Sequence, residues 1–185
     1  MNLQKLFEAQ AELDEHIEKK HPRKEGEDRL SKKILALQVE LAECAQESRC
    51  FKYWSNDQEP RIRVYDKQKS RIDKTVWKNP LLEEFVDCLH FILSIGNQIE
   101  FDQEIDDRYI SDSITRQFNF IFEDVSKLMK SIRMRNPKDD LKAWYEMIIE
   151  GIIGLGEMLG FTWEQIEESY FEKNRLNHER QNNGY

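Results

Sequence analysis

Proline is scarce in this chain, which leaves long stretches free to form helices. The four prolines stand at positions 22, 60, 80 and 137. Between them apolar residues recur every three or four positions, as on amphipathic helices, and no convincing run alternates as in a strand. We therefore predict an all-α helix bundle, formed as a single domain over residues 1–185 with a variable insert at roughly 100–140.

Long hydrophobic runs are also lacking. No stretch approaches the roughly 18 consecutive apolar residues that a membrane span requires. The first residues, MNLQKLFEAQAELDEH, form an amphipathic and partly acidic pattern, whereas a signal peptide is basic and then apolar. We expect a soluble, cytoplasmic protein with no membrane partner.

Cysteine and positive charge are both in short supply. The three cysteines (Cys44, Cys50 and Cys88) form no C-x-x-C pair and stand among apolar helical residues. This placement predicts buried, reduced thiols and no zinc site. The net charge of −8 argues against nucleic-acid binding, which needs a basic face to neutralise phosphates. A small anionic ligand carried by metal ions stays compatible with that charge.

Helix boundaries are marked by side chains that cap helix ends. Asn79 followed by Pro80 is typical of a helix start, and the spacing of Thr162 and Gln165 fits a capping box. A charged connection is expected at 59–78. Helices are predicted at about 3–20, 29–54, 80–99, 110–134, 138–159 and from 162 onward.

Four of the seven glycines lie in the segment GIIGLGEMLG, at 151–160. A phosphate-binding loop would need the pattern GxxxxGK[ST] after a strand, and neither is present. The segment therefore predicts close packing between helices and a helix stop at Gly160.

Acidic residues on the second predicted helix give the first sign of chemistry. Glu40, Glu43 and Glu47 are spaced i, i+3, i+7, so they lie within about 60° of one another on one helix face. A solvated acidic face usually carries Lys or Arg three or four residues away. Glu40 and Glu43 have no such neighbour.

Two apolar stripes run along the rest of this helix. A helix that is apolar on two sides is expected to be an inner helix, which would place its acidic face inside a cleft rather than in bulk water. The stripes are Ile34, Leu37, Leu41, Ala45 and, separately, Leu35, Val39, Ala42.

A second acidic pair lies on the apolar helix that starts at Pro80. Glu84 and Asp87 are again spaced i, i+3, and His90 is the only side chain near them at helical spacing that can carry a positive charge. Asp87 is two turns in, where the helix dipole favours it little and its helix propensity is low.

Carboxylates on two neighbouring inner helices would repel one another in a dry site. Burying an unpaired carboxylate is costly, so a shared cation is the economical solution. Oxygen ligands point to Mg²⁺ or Mn²⁺ rather than zinc. A solvated or structurally paired acidic surface is the alternative for each pair taken alone.

Several motifs together resemble the dimeric dUTPases, a family of the all-α, MazG-like NTP pyrophosphatase superfamily. The pairs Glu40–Glu43 and Glu84–Asp87 match its E-x-x-E and E-x-x-D motifs. Gln10, Leu13 and Asp14 resemble its Q-x-x-L-N element, with Asp14 where asparagine is more usual. FKYW at 51–54, HF at 90–91 and KNRLNHERQ at 173–181 also fit.

The resemblance implies hydrolysis of dUTP and dUDP to dUMP, with release of pyrophosphate or phosphate. It implies a homodimer with shared active sites and two or three Mg²⁺ (or Mn²⁺) per site, held by Glu40, Glu43, Glu84 and Asp87. A water activated by metal would attack, oriented or deprotonated by Glu43 or Glu40. Substrate-binding candidates are Gln10, Asp14, Lys52, Trp54, His90, Phe91, Lys173, Asn174, Asn177 and Arg180.

Some of these residues have a second interpretation. His90 is either a partner that orients Asp87 or a satisfied core histidine. The basic connection at 59–78 is either a lid over a triphosphate or a solvated linker.

Two other functions stay open at this point. One is a dCTPase or a broader MazG-like NTP pyrophosphatase, because amide side chains can serve uracil or cytosine by flipping. The other is a non-catalytic helical interaction protein, which would bind a regulatory protein partner through its acidic surface.

Overall fold

Six α-helices account for most of the structure, a computed structural model that describes residues 3–66, 76–102, 104–105 and 107–184. The prediction of an all-α helix bundle is confirmed. The helices are α1 (Leu3–Lys20), α2 (Arg29–Ser48), α3 (Pro80–Gln98), α4 (Ile114–Arg133), α5 (Lys138–Met158) and α6 (Trp163–Asn182).

Side chains cap four of these helices at their first turn, because the first backbone N–H groups of a helix lack partners within it. Asn79 accepts a hydrogen bond from the backbone of Leu82, and Thr162 and Gln165 form the predicted capping box. Asp28 and Ser113 cap α2 and α4 in the same way. The starts of α3 and α6 were therefore readable from sequence.

The predicted end of α2 at residue 54 is wrong, since the helix stops at Ser48. Arg49 adopts a left-handed conformation (φ 59°), and its backbone N–H closes the helix on the carbonyl of Ala45. Its side chain donates through Nε to the carbonyl of Asp57 at 2.9 Å, which holds the following turn. The segment FKYW thus follows the helix as irregular backbone.

A short hairpin interrupts the connection for which no strand was predicted. β1 (Val64–Tyr65) pairs antiparallel with β2 (Trp77–Lys78), with Val64 opposite Lys78. Two residues are too few to give a visible alternation, which explains the missed strands. Part of the basic connection at 59–78, which is either a lid or a solvated linker, lies outside the described residues, at 67–75.

The core is built around α3, which packs against α1, α2, α5 and α6. Tyr145 of α5 is fully buried against it and donates its hydroxyl to the carbonyl of Ile92 at 3.0 Å. Because α3 carries Glu84 and Asp87 on one face, the apolar packing of its other faces fixes where those carboxylates point. Its buried apolar residues are Leu81, Phe85, Val86, Cys88, Leu89, Ile92, Leu93 and Ile95.

Glycines of α5 allow close approach, as the sequence predicted. A Cβ on Gly154 would overlap the carbonyl oxygen of Tyr109, and one on Gly156 would come within 2.8 Å of the Phe85 ring. Gly160 has φ 82°, the left-handed conformation typical of a residue just past a helix end. Residues 151–158 of this segment are helical and continue α5 rather than follow a strand.

The expectation that α2 is an inner helix is wrong for the single chain. Leu37 and Leu41 are buried, whereas Leu35 is 62% exposed and Val39 46% exposed. Only one of its two apolar stripes packs on this chain's core, because α3 and α4 cover that side alone. The second stripe lies open on the surface.

The thiols follow the prediction in part. Cys44 and Cys88 are buried, Cys50 is half-buried, and all three are free. Among the described residues, no helix is both long enough and apolar enough to cross a bilayer.

Substituting Gly154 tests the helix contact described above. Gly154→Ala should lower the free energy of unfolding by about 1–3 kcal/mol, because the new methyl group overlaps backbone that cannot rotate away. Urea denaturation measures this. Gly151→Ala is the control, since its Cβ meets the flexible Ile121 side chain at 3.1 Å. Equal effects of the two substitutions would contradict the assigned contact.

Candidate metal centre and adjoining cavity

Three carboxylates meet where α2 and α3 pack together. Glu40, Glu84 and Asp87 each offer an oxygen atom, and these atoms all lie within 4.8 Å of one another. All three residues are half-buried. The i, i+3 spacing on α3 places both of its carboxylates on the face turned to α2.

The cluster is electrostatically unfavourable without a cation. Burial and then the charge of Asp87 raise the pKa of Glu40 to about 7, and the same causes raise the pKa of Glu84 to about 7. Glu43 contributes to both shifts, although it is exposed and stands outside the group of three. The four predicted carboxylates are thus neighbours, with Glu43 on the solvent side.

One cation reaches the cluster from a distant part of the sequence. Lys173 of α6 places its Nζ 2.5 Å from Oδ2 of Asp87. Burial nevertheless raises the pKa of Asp87, with Lys173 and Arg180 opposing it. A single ammonium therefore offsets only part of the repulsion among three carboxylates.

The donor set suits a hard divalent cation. Carboxylate oxygens from Glu40, Glu84 and Asp87 are ligands that Mg²⁺, Mn²⁺ and Ca²⁺ accept, and Mg²⁺ is commonly held by a few carboxylates plus water and phosphate. The side with Glu43 is open to solvent, so such an ion can be reached by substrate.

A cavity of about 650 Å³ adjoins the cluster, bounded by α1, α2, α3 and α6. Its size is that of an ordinary small-molecule site. It is lined by nine of the residues that the sequence predicted: Gln10, Asp14, Glu40, Asp87, His90, Phe91, Lys173, Asn177 and Arg180.

A chain of hydrogen bonds runs along the wall of this cavity, and the donor and acceptor of each bond can be assigned. The Asp14 carboxylate lies 3.4 Å from the ammonium of Lys33 and accepts a bond from Nε2 of Gln10 at 2.8 Å. Because a carboxylate only accepts, the Gln10 amide must turn its oxygen the other way. That oxygen accepts from the Tyr170 hydroxyl at 3.0 Å and faces Nδ1 of His90 at 2.8 Å.

The imidazole of His90 is neutral. Burial, and then the charge of Lys173, lower its pKa to about 3. Nδ1 must carry the proton because it faces the Gln10 oxygen, so Nε2 is an acceptor. Nε2 is buried and has no hydrogen-bond partner among the described residues. The interpretation that His90 orients Asp87 is therefore wrong, and the ring is not a fully satisfied core histidine either.

Three residues of this wall were missed by the sequence analysis. Ser94 donates to Oδ2 of Asp14 at 2.6 Å, Lys33 pairs with the same oxygen, and Tyr170 stacks on His90 with ring centroids 4.3 Å apart. Helical spacing could have found two of them. Lys33 stands seven residues before Glu40 and Ser94 seven residues after Asp87, which places each on the functional face of its helix.

Five predicted residues do not line the cavity. Trp54 is 65% exposed and packs against Phe51 and Tyr53. Asn174 is buried and donates to the carbonyl of Ala9 at 3.3 Å, so it joins α6 to α1. The five are Glu43, Lys52, Trp54, Glu84 and Asn174.

The repulsion in the cluster predicts how the metal-free protein depends on pH. Folded Glu40 keeps its proton up to a pKa of about 7, whereas the unfolded residue loses it near 4.5. Unfolding therefore becomes easier as pH rises from about 4.5 to 7. Glu40→Gln should be more stable than wild type at pH 8 in EDTA, with the difference shrinking toward pH 4.

Thermal denaturation across that pH range is the measurement. Glu47→Gln is the matched control, because Glu47 lies on the same helix but outside the group of three. A stability difference between wild type and Glu40→Gln that stays constant with pH would contradict the electrostatic account.

A protein-family model described as dUTPase matches residues 2–185, nearly the whole chain. No curated protein matches the chain.

Proposed function

Because this chain belongs to the dUTPase family and is a dUTP diphosphatase acting on deoxyuridine nucleotides, we propose that the reaction takes place at the carboxylate cluster and in the cavity beside it. The convergence of Glu40, Glu84 and Asp87 at the edge of that cavity is the observation that carries the proposal. Enzymes of this family generally depend on a divalent metal, and the cluster offers ligands for one.

The metal we propose is Mg²⁺, replaceable by Mn²⁺, with two or three ions per site. Glu40, Glu84 and Asp87 would hold them from within, and Glu43 would add a ligand from the solvent side. Bound cations would neutralise charge on the phosphates and make a bound water more acidic. The raised pKa values of Glu40 and Glu84 support this, because bound cations would stabilise the ionised carboxylates against the burial and the mutual repulsion that raise those values.

Glu43 or Glu40 would orient and deprotonate the attacking water. We place the attack at the β-phosphorus, where the new P–O bond forms as the bridge to the α-phosphate breaks and dUMP leaves. Attack there releases pyrophosphate from dUTP and phosphate from dUDP, so one geometry would serve both substrates. Lys173 and Arg180 line the cavity and would bind phosphate oxygens.

The base would lie against α1. Gln10, Asp14, His90 and Asn177 line the cavity, and the fixed direction of their hydrogen bonds would select the base by its donors and acceptors. Asp14 in place of asparagine is compatible with these hydrogen-bond directions, because Lys33 and Ser94 both bind its carboxylate. Phe91, which also lines the cavity, would pack against the pyrimidine ring.

Removing a single cluster carboxylate tests the assignment. Glu40→Gln should lower Mg²⁺-dependent kcat by about 10²–10⁴-fold, the usual contribution of a general base. Asp87→Asn should lower it by a similar factor, because losing a ligand weakens the charge stabilisation that the metal supplies. Both variants should retain the fold. Release of pyrophosphate or phosphate is measured with dUTP, dUDP, dCTP and dTTP side by side. Glu83→Gln is the control, since Glu83 is a neighbour outside the cluster.

The same panel separates the remaining alternatives. Equal rates with dUTP and dCTP would favour a broader pyrophosphatase and contradict the proposed base selection. Full activity of Asp87→Asn and Glu40→Gln would place the reaction elsewhere. Absence of hydrolysis in the wild-type protein with every nucleotide would leave a non-catalytic helical protein. A regulatory protein partner stays a prediction.

We further propose that the chain forms a homodimer whose active sites are shared. The exposed stripe of Leu35, Val39 and Ala42 on α2 supports this, because large apolar side chains on an open helix face favour a covering surface. Lys52 and Trp54 also support it, since the resemblance assigns them to substrate while they lie outside their own chain's cavity. A partner subunit would bring them to the site.

Charged substitutions on the stripe test the dimer. Leu35→Glu and Val39→Glu should give monomers by analytical ultracentrifugation, because each would place a charge in an apolar interface. Met134→Glu is the control, since Met134 is 63% exposed and lies outside α2. Mixing Trp54→Ala with Asp87→Asn should restore part of the lost activity if sites are shared, and no recovery would contradict sharing.

A further inference from the structure

Histidines collect at one end of the contact between α1 and α6, away from the carboxylate cluster. Three of the chain's four histidines lie there, namely His16, His21 and His178. His16 and His178 face each other across the two helices, and His21 bonds Gln181. Nothing in the proposed reaction uses these side chains.

The two facing imidazoles meet through their nitrogens. The Nδ1 atoms of His16 and His178 lie 2.8 Å apart, while the ring centroids are 5.0 Å apart and the ring planes differ by 22°. Since the nitrogens are so much closer than the centroids, both lie near the line that joins the ring centres. The rings therefore point their Nδ1 atoms at each other.

This arrangement has one of two origins. Either one Nδ1 carries a proton and donates it to the other, or both are deprotonated and share a cation. Burial, and then the neighbouring His16, lower the pKa of His178, which keeps its ring neutral near pH 7. A neutral imidazole is the form that binds transition metals.

An acidic side chain stands one turn away on α1. Glu12 precedes His16 by four residues, so both lie on the same helix face. Its charge raises the pKa of His178, against the larger effects of burial and His16. Glu12 is exposed and both histidines are half-buried, so an ion can enter from solvent.

We propose that His16 and His178 form a second metal site, which binds one borderline transition-metal ion such as Zn²⁺. Zinc binds imidazole nitrogen at about 2.0–2.1 Å, so two tetrahedral ligands stand about 3.3 Å apart. The observed 2.8 Å needs only a small separation of the rings. Two imidazoles and two waters complete four-coordination, and Glu12 would replace one water by turning its side chain toward the ion.

Ligand chemistry distinguishes this site from the carboxylate cluster. Imidazole nitrogen suits Zn²⁺, Ni²⁺ and Cu²⁺, whereas Mg²⁺ prefers oxygen alone. The histidine site would therefore bind an ion that Mg²⁺ does not displace.

The ion would fasten α1 to α6 beside the cavity. Gln10 and Asp14 precede His16 on α1, and Lys173 and Asn177 precede His178 on α6, so both helices carry cavity residues. At the other end of the contact between α1 and α6, the two helices are already joined by Lys5 and Glu167, 2.8 Å apart. Metal binding at the histidine end should raise the stability of the folded chain without any nucleotide present.

Calorimetric titration with ZnCl₂ alone, in buffer containing excess Mg²⁺, tests the proposal. We compare wild type with His16→Gln and His178→Gln, and use His21→Gln as matched control. Wild type and His21→Gln should bind one more Zn²⁺ per chain than His16→Gln and His178→Gln, or bind it at least about tenfold tighter. The reason is that losing even a residue that only hydrogen-bonds a ligand lowers metal affinity by about 10–100-fold. Their Tm should rise with Zn²⁺.

Imidazole nitrogen NMR identifies the ligands directly. The proposal requires that Zn²⁺ shift the resonances of His16 and His178 while His21 stays unchanged. Zn²⁺ stoichiometry and affinity that are the same in wild type and in both His16→Gln and His178→Gln would overturn it. So would unshifted resonances, which would leave an N–H···N hydrogen bond as the origin of the contact.

Discussion

Repulsion among carboxylates at the packed surface of α2 and α3 is the constraint on which the rest of the site depends. Apolar packing fixes the two helices, so Glu40, Glu84 and Asp87 cannot move apart to relieve it. Burial raises the pKa of each, and Lys173 offsets only part of the effect. Such a site favours the binding of cations, because their positive charge offsets the electrostatic free energy that folding imposes on the carboxylates.

In the wall of the neighbouring cavity, the donor and the acceptor of each hydrogen bond are fixed. Asp14 can only accept, which turns the amide of Gln10, which in turn requires a proton on Nδ1 of His90. Every step follows from the donor and acceptor inventory of the side chains. A neutral, oriented imidazole therefore stands beside the carboxylate cluster, and α6 contributes to both through Lys173 and Tyr170.

Local rules predicted the helices well and failed where structure was short or non-local. Asn79 and Thr162 mark helix starts because a cap acts within one turn. The end of α2 was missed because Arg49 carries no sequence signal of its left-handed conformation. The hairpin was missed because each strand has two residues. The apolar stripe with Leu35 was misjudged because periodicity reports an apolar face and not what covers it.

The sequence by itself determined the all-α class and the two acidic pairs, since i, i+3 spacing on a helix fixes a shared face. It also pointed to nine of the residues that line the cavity, through motifs that resemble a known family. Only the tertiary structure decided that Glu43 lies outside the buried group, that Lys173 reaches Asp87, and that His90 bonds Gln10. Those contacts join residues 80 or more positions apart, so no local pattern encodes them; the packing of whole helices does.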